Sequence, residues 1–225
     1  MIITIDGPSG SGKSTVAQKI AQDRGIFYLN TGLLYRAITY LVYEDPTSPL
    51  FGRYDDDIEL ITRDQLDALP TLAYAYSADG ATVFVHGQDI VAKCYATPGL
   101  DQVASKLSAL PVVREFLLDV QRDIAKQHDV IADGRDCGTV VFPDAEHKIF
   151  LTASLDVRAQ RRMLDAKVQA LGLTFELVRN DLAERDERDE NRAIAPLRIP
   201  AGATVIDSSD FSIDQTVEMI IKVVS

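Results

Sequence analysis

Residues 1–22 read MIITIDGPSGSGKSTVAQKIAQ, and this stretch decides the fold. Gly7, Pro8, Ser9, Gly10, Ser11, Gly12, Lys13 and Ser14 fit G-x-x-x-x-G-K-[ST], a loop pattern that cradles phosphates. Its surroundings are the required ones. Ile2 to Ile5 is a short β-branched run that reads as a buried parallel strand. Val16, Ala17, Ile20 and Ala21 recur at helical spacing, and Gly25 reads as the helix stop. In the order strand, glycine loop, helix, backbone N–H groups form an anion nest at the positive end of a helix dipole. Lys13 can reach the outer phosphates, the Ser14 hydroxyl can ligate Mg²⁺, and Thr15 can add a phosphate hydrogen bond. A plain Gly/Ser-rich turn before a helix is the alternative, and it does not require the lysine.

The chain has 225 residues, 46% of them hydrophobic, which suits one core domain with a small appendage. Its formal net charge of −11 disfavours general binding to nucleic acid or to a membrane surface. No apolar run is long enough to span a bilayer and no signal peptide is recognisable. Cys94 and Cys137 are far apart and lack metal-ligand spacing. A reduced cytoplasmic protein, monomeric and acting on small molecules, is the simplest expectation.

Past Gly25, residues Ile26–Leu29 read as a second strand, and Leu33, Leu34, Ala37, Ile38, Leu41 and Val42 form a helical apolar face. EDPTSPLFGRYDDD, starting at Glu44, reads as loop. From Thr71, TLAYAYSADGATVFVHGQDI consists of two alternating runs around Asp79-Gly80, a hairpin signal in a small β-rich insertion. Helical periodicity returns near Leu100, and Pro111 starts another helix. DVIAD and KIFLTA read as strands, Leu155–Leu171 and Phe175–Asn191 as charged helices, and TVIDS as a last strand before an amphipathic helix. Alternating strands and helices argue for an α/β fold with a parallel sheet covered on both faces.

Three further stretches bear on what receives the phosphate: LNTGLLYRAI from Leu29, VIADGRDCGTVVFPDA from Val130 and ERDERDENRAIAPL from Glu184. In this order after GPSGSGKST, they closely resemble the bacterial cytidylate kinases over nearly the whole chain. The resemblance implies transfer of the γ-phosphoryl group of ATP to CMP or dCMP with Mg²⁺. It also implies a three-layer P-loop core whose parallel sheet has five strands in the order 2-3-1-4-5. The monophosphate-binding region with its β-hairpin would occupy residues 45–100, and a short lid with its flanking helices residues 155–192.

Residue by residue, the resemblance places Thr31, Arg36, Arg135 and Arg192 at the acceptor nucleotide, the arginines as guanidinium forks for its phosphate. It places Asp136, Ser105 and Arg114 at the base. There a carboxylate can accept from the cytosine amino group, where uracil presents an acceptor instead. Arg185 and Asp189 fall at the ribose, Arg161 and Arg162 in the lid, and Asp133 at the metal through water. Each has a plainer alternative: an Asx-turn for Asp136, solvated helix faces for the arginines and Ser105. Asn30 stands where the family usually has Asp, and LRIPAGA, from Leu197, departs from the pattern near the adenine side. Cys137 reads as a neutral loop residue, and His86, His128 and His147 as surface residues.

Two rivals remain at this point. One is a P-loop kinase for UMP, AMP or shikimate, against which DGRD followed by GTVVFPDA argues. The other is a GTPase-type switch, whose N-K-x-D guanine reader is absent.

Overall fold

The computed structural model describes residues 1–52, 59–69, 72–77, 80–96 and 100–224. In chain order the elements are β1 (Ile2–Asp6), α1 (Lys13–Arg24), β2 (Phe27–Asn30), α2 (Thr31–Tyr43), α3 (Arg63–Asp67), β3 (Ala73–Ser77), β4 (Gly80–Val85), β5 (Gln88–Asp89), α4 (Val91–Ala96), α5 (Leu100–Leu107) and α6 (Pro111–Ala125). There follow β6 (Val130–Gly134), a π-helical turn (Cys137–Val141), β7 (His147–Thr152), α7 (Leu155–Met163), α8 (Ala166–Ala170), α9 (Phe175–Asn191), β8 (Thr204–Asp207) and α10 (Ile213–Val223). The chain divides into two compact units. One is Met1–Phe27 with Asp129–Ser225, and the other is Tyr28–His128.

The five-stranded sheet runs β2-β6-β1-β7-β8, the expected 2-3-1-4-5 order. β1 is central, paired in parallel with β6 on one side and β7 on the other. Both faces of it are covered, which is why its burial does not alternate: Ile3 and Ile5 are fully buried, and so is Thr4 between them. Asp6 lies opposite Gly134 and Phe150 in register, so the loops leaving β1 and β6 start at one edge of the sheet. In open parallel sheets ligands bind at that carboxyl edge. The buried face of α1, Val16, Ala17, Ile20 and Ala21, is the one the spacing predicts. Gly25 ends the helix in a left-handed conformation, its N–H donating to the Ala21 carbonyl.

The helix expected over Leu155–Leu171 is broken. The N–H groups of Leu164 and Asp165 donate to the carbonyls of Arg161 and Arg162 at 3.2 and 3.1 Å, tightening the last turn of α7. The break lets Val168 of α8 join Ala159, Val178 and Leu182 in a small core of its own. Packing outweighs the uninterrupted helical pattern here.

In the second unit, the buried face of α2 is Leu33, Leu34, Ala37, Ile38, Leu41 and Val42, as expected. The Asn30 side chain caps this helix by accepting from the Leu33 N–H at 3.0 Å. Its amide oxygen fills that capping role without a negative charge. The β-rich block contains β3, β4 and also β5, all antiparallel. The third strand follows a tight turn in which His86 and Gly87 both have positive φ, 50° and 73°. This is the backbone of a two-residue hairpin, and the sequence reading did not extract it. Asp79, Thr71 and residues 53–57 of the expected loop lie outside the described residues.

Candidate active site

The loop between β1 and α1 is shaped by close approach. At Gly7, with φ 149°, an added Cβ would lie 2.0 Å from the Leu151 carbonyl oxygen of β7. Gly12 caps α1 at φ 90°. Lys13, the first residue of α1, is buried, and its Nζ donates to the Pro8 carbonyl at 2.6 Å and lies 3.3 Å from Ser11 Oγ. Burial, and then the Arg135 guanidinium, hold its ammonium well below the usual lysine range, while Asp133 and Asp6 act against them. The lysine is thus folded onto its own loop, with a carbonyl oxygen where a phosphate oxygen can bind. Ser14 Oγ donates to Asp133 Oδ2 at 2.7 Å. Thr15 is exposed on the first turn of the helix.

Past Gly134, at the end of β6, stand Arg135 and Asp136, each held by α9 or the residue that caps its C-terminus. Arg135 Nε donates to Asp189 Oδ2 at 2.7 Å, and Arg192 Nη2 to Asp136 Oδ1 at 3.3 Å. Asp136 and Asp189 are almost completely buried. Burial pushes the Asp189 carboxyl up, but Arg135, Arg185 and Arg192 outweigh it and hold it below its ordinary value. Arg192 also donates from Nε to the Ala195 carbonyl at 2.5 Å. Arg185 lies one helical turn before Asp189 on the same face of α9. Of the expected site residues in this unit, Lys13, Ser14, Asp133, Arg135, Asp136, Arg185, Asp189 and Arg192 therefore converge at the carboxyl edge of the sheet.

Arg161 and Arg162 point to different partners. Arg161 donates to the Ser208 carbonyl at 2.7 Å, to Ser208 Oγ at 3.0 Å and to the Ser11 carbonyl at 3.4 Å. Arg162 pairs with Asp165 at 3.0 Å. In the second unit Thr31 is buried at the start of α2, and the Arg36 guanidinium lies over the Tyr95 ring at 4.9 Å. Arg114 is buried, donates to the Ser108 carbonyl at 2.9 Å and lies over Tyr35. Ser108 Oγ in turn donates to the Ser105 carbonyl at 2.8 Å.

The sequence reading missed two residues. Arg158 is buried and reaches the phosphate-loop carbonyl of Ser9 at 3.0 Å, the Ala153 carbonyl at 3.0 Å and Asp186 of α9 at 2.6 Å. Its position in RAQRRM, one helical turn before Arg161 and Arg162, was the available signal. Asp6 is fully buried, and its carboxylate accepts from the N–H of Cys137 at 2.8 Å and of Gly138 at 2.7 Å. An acid closing a buried strand was the signal in that case. Cys137, expected as a loop residue, is buried as the first residue of the π-helical turn.

Among the described residues no three His, Cys, Asp or Glu side chains gather into a metal-binding cluster. The hydroxyl–carboxylate pair of Ser14 and Asp133 is a set of hard oxygen donors. It suits Mg²⁺, which keeps several waters and takes few protein ligands when phosphates supply the rest. No helix among the described residues is long and apolar enough to cross a membrane.

A family model described as Cytidylate kinase matches residues 3–225. A cytidylate kinase of Marinomonas sp. (strain MWYL1) is 43% identical over 221 residues, covering 97% of this chain and 93% of that one. One of Thermodesulfovibrio yellowstonii is 39% identical, covering 100% and 97%. A solved shikimate kinase from Bacteroides thetaiotaomicron superposes with a TM-score of 0.50 at 11% identity, covering 100% of this chain and 98% of that one. At that identity the likeness extends to the fold alone.

Proposed function

The chain belongs to the cytidylate kinase family, and from this premise we infer that it transfers the γ-phosphoryl group of ATP to CMP or dCMP, giving ADP and CDP or dCDP. The observation that carries the reading is the buried ladder Arg135–Asp189 and Asp136–Arg192 beside the phosphate loop. It joins phosphate-binding forks to a carboxylate able to read a base.

Phosphoryl transfer asks little covalent chemistry of the protein; positioning and charge neutralisation dominate. The loop N–H groups and the N-terminus of α1 hold the donor phosphates. Lys13 exchanges the Pro8 carbonyl for outer phosphate oxygens, and the incoming charge favours its ammonium form. Ser14 and, through water, Asp133 would hold Mg²⁺, which when bound would offset the negative charge of the phosphates. Arg135 and Arg192 take the acceptor phosphate. Asp136 accepts from the cytosine amino group, and Arg185 and Asp189 take the ribose. The family resemblance assigns Thr31 and Arg36 to the acceptor nucleotide, and Ser105 and Arg114 to its base. The acceptor's phosphate oxygen is already a nucleophile, so no strong general base is required.

Arg161 and Arg162 form the lid set within residues 155–192, and residues 45–100 the inserted acceptor-side region. Arg161 leaves Ser208 to meet the transferring phosphoryl group. We take the protein to act in the cytoplasm as a monomer, a reading supported by its acidic charge and by Cys94 and Cys137, both buried and neither in a disulfide. A coupled assay with Mg·ATP and CMP, dCMP, UMP, AMP or shikimate tests the reaction. Turnover is expected with CMP and dCMP far above the others. Preferred turnover of any other acceptor refutes the assignment.

A further inference from the structure

We propose that Asp6 is a positioning residue that sets the acceptor-reading loop in register with the donor loop. The proposal rests on the cytidylate kinase reading given above. Asp6 ends β1, and its main chain passes directly into Gly7 and the phosphate loop. Its side chain does the opposite job. Each carboxylate oxygen accepts one N–H, from Cys137 and from Gly138, the first residues of the π-helical turn. The N–H groups at the start of a helical turn have no partner within it, so the carboxylate supplies the missing acceptors.

Arg135 and Asp136 lie between two fixed points. On one side β6 is paired to β1, with Gly134 opposite Asp6. On the other side is the Asp6 carboxylate itself. One residue therefore anchors the donor loop through its backbone and the acceptor loop through its side chain. The seat has no slack. A Cβ added at Gly138 would lie 2.8 Å from Thr4 Oγ1, 2.9 Å from Pro200 Cγ and 3.2 Å from Asp6 Oδ2.

Asp6→Asn keeps the shape but turns an N–H₂ toward one of the two donors. The loop must then shift, and Asp136 shifts with it. Kinetics of the full chain with CMP and UMP at saturating Mg·ATP distinguish this from mere loss of folded protein. The CMP/UMP ratio of kcat/KM should fall about fivefold or more, while KM for ATP changes less than about twofold. Less folded enzyme lowers both substrates equally, so an unchanged ratio with reduced activity overturns the proposal. If Asp6→Asn does not fold, Gly138→Ala displaces the same seat from the other side and should shift the ratio likewise. A ratio equal to the parent's in that variant also overturns it. A parent that does not phosphorylate CMP refutes the reading of the reaction, a separate outcome.

Discussion

The hydroxyl of Ser14 and the carboxylate of Asp133 are 119 residues apart in the chain and 2.7 Å apart in space. They join the start of α1 to β6 at the point where donor phosphates would lie. If Asp133 holds a hydrated divalent cation, removing its charge weakens that hold without touching the acceptor. Asp133→Asn should therefore raise the Mg²⁺ concentration needed for half-maximal rate about tenfold, on the order of 1.4 kcal/mol of lost charge interaction. KM for CMP at saturating Mg²⁺ should stay within about twofold. A Mg²⁺ titration at fixed ATP measures both.

Asp136 stands against Arg192 and is nearly inaccessible to solvent. If Asp136 reads the base, UMP must set its O4 lone pairs against a carboxylate, at a cost of roughly 1–3 kcal/mol or about five- to a hundredfold in kcat/KM. Asp136→Asn can present an amide N–H₂ to O4. The variant is expected to lose CMP activity and to close most of the CMP-over-UMP gap, measured as kcat/KM for each monophosphate. An unchanged ratio would mean that another group reads the base.

Arg158 and Asp186 form a mostly buried ion pair, and Asp186 Oδ1 has no hydrogen-bond partner among the described residues. Arg158→Met leaves that carboxylate without its cation and the Ser9 carbonyl without a donor. Breaking such a pair costs about 3–5 kcal/mol. Pairing it with Asp186→Leu removes the stranded charge, so the double variant should be more stable than Arg158→Met alone. Urea unfolding of the three proteins tests this coupling.

Asp6 has its carboxyl pushed up from 3.8 to about 6, by burial first and by the nearby Asp136 charge. The N–H groups of Gly138 and Cys137 and the Lys13 ammonium act in the opposite direction. Between about pH 4 and pH 6 the folded chain keeps this proton while the unfolded chain has lost it. Its contribution to stability therefore falls as pH rises through that window, by about 3 kcal/mol for a shift of about two units. Asp6→Asn carries no such slope. The stability difference between parent and variant should thus move against the parent by about that amount from about pH 4 to pH 7, read from urea unfolding.

What could be read in the sequence follows physical range. The phosphate loop and β1 were legible because each depends on neighbours within one turn or strand: Gly7 to Ser14 on their own spacing, Ile2 to Ile5 on a short β-branched run, whereas the order of the strands in the sheet came through resemblance. Pro111 and Gly25 marked helix ends for the same local reason. Arg135, Asp136, Asp189 and Arg192 emerged through resemblance, since no spacing rule announces that the end of a strand will meet the end of a distant helix. Arg158 and Asp6 were passed over because their partners, Asp186 and the Cys137–Gly138 backbone, come from other parts of the chain. The break after Met163 was hidden by a periodic pattern that runs on through it. At Asn30 the missing charge drew attention, whereas the capping oxygen, which Asn shares with Asp, gives the residue its place.

The turn after Asp136 closes with the N–H of Val141 on the Asp136 carbonyl at 3.1 Å and that of Phe142 on the Cys137 carbonyl at 2.7 Å. Each ring spans one residue more than an α-helical turn. Chain length is thus a specification here, separate from residue identity. Deleting any one residue of Cys137–Val141 lets the turn relax to ordinary helical closure, and the chain then reaches β7 about 1.5 Å short and rotated by about 100°. A one-residue gap in this turn would thus re-aim the loop that follows Asp136 even with every remaining side chain unchanged.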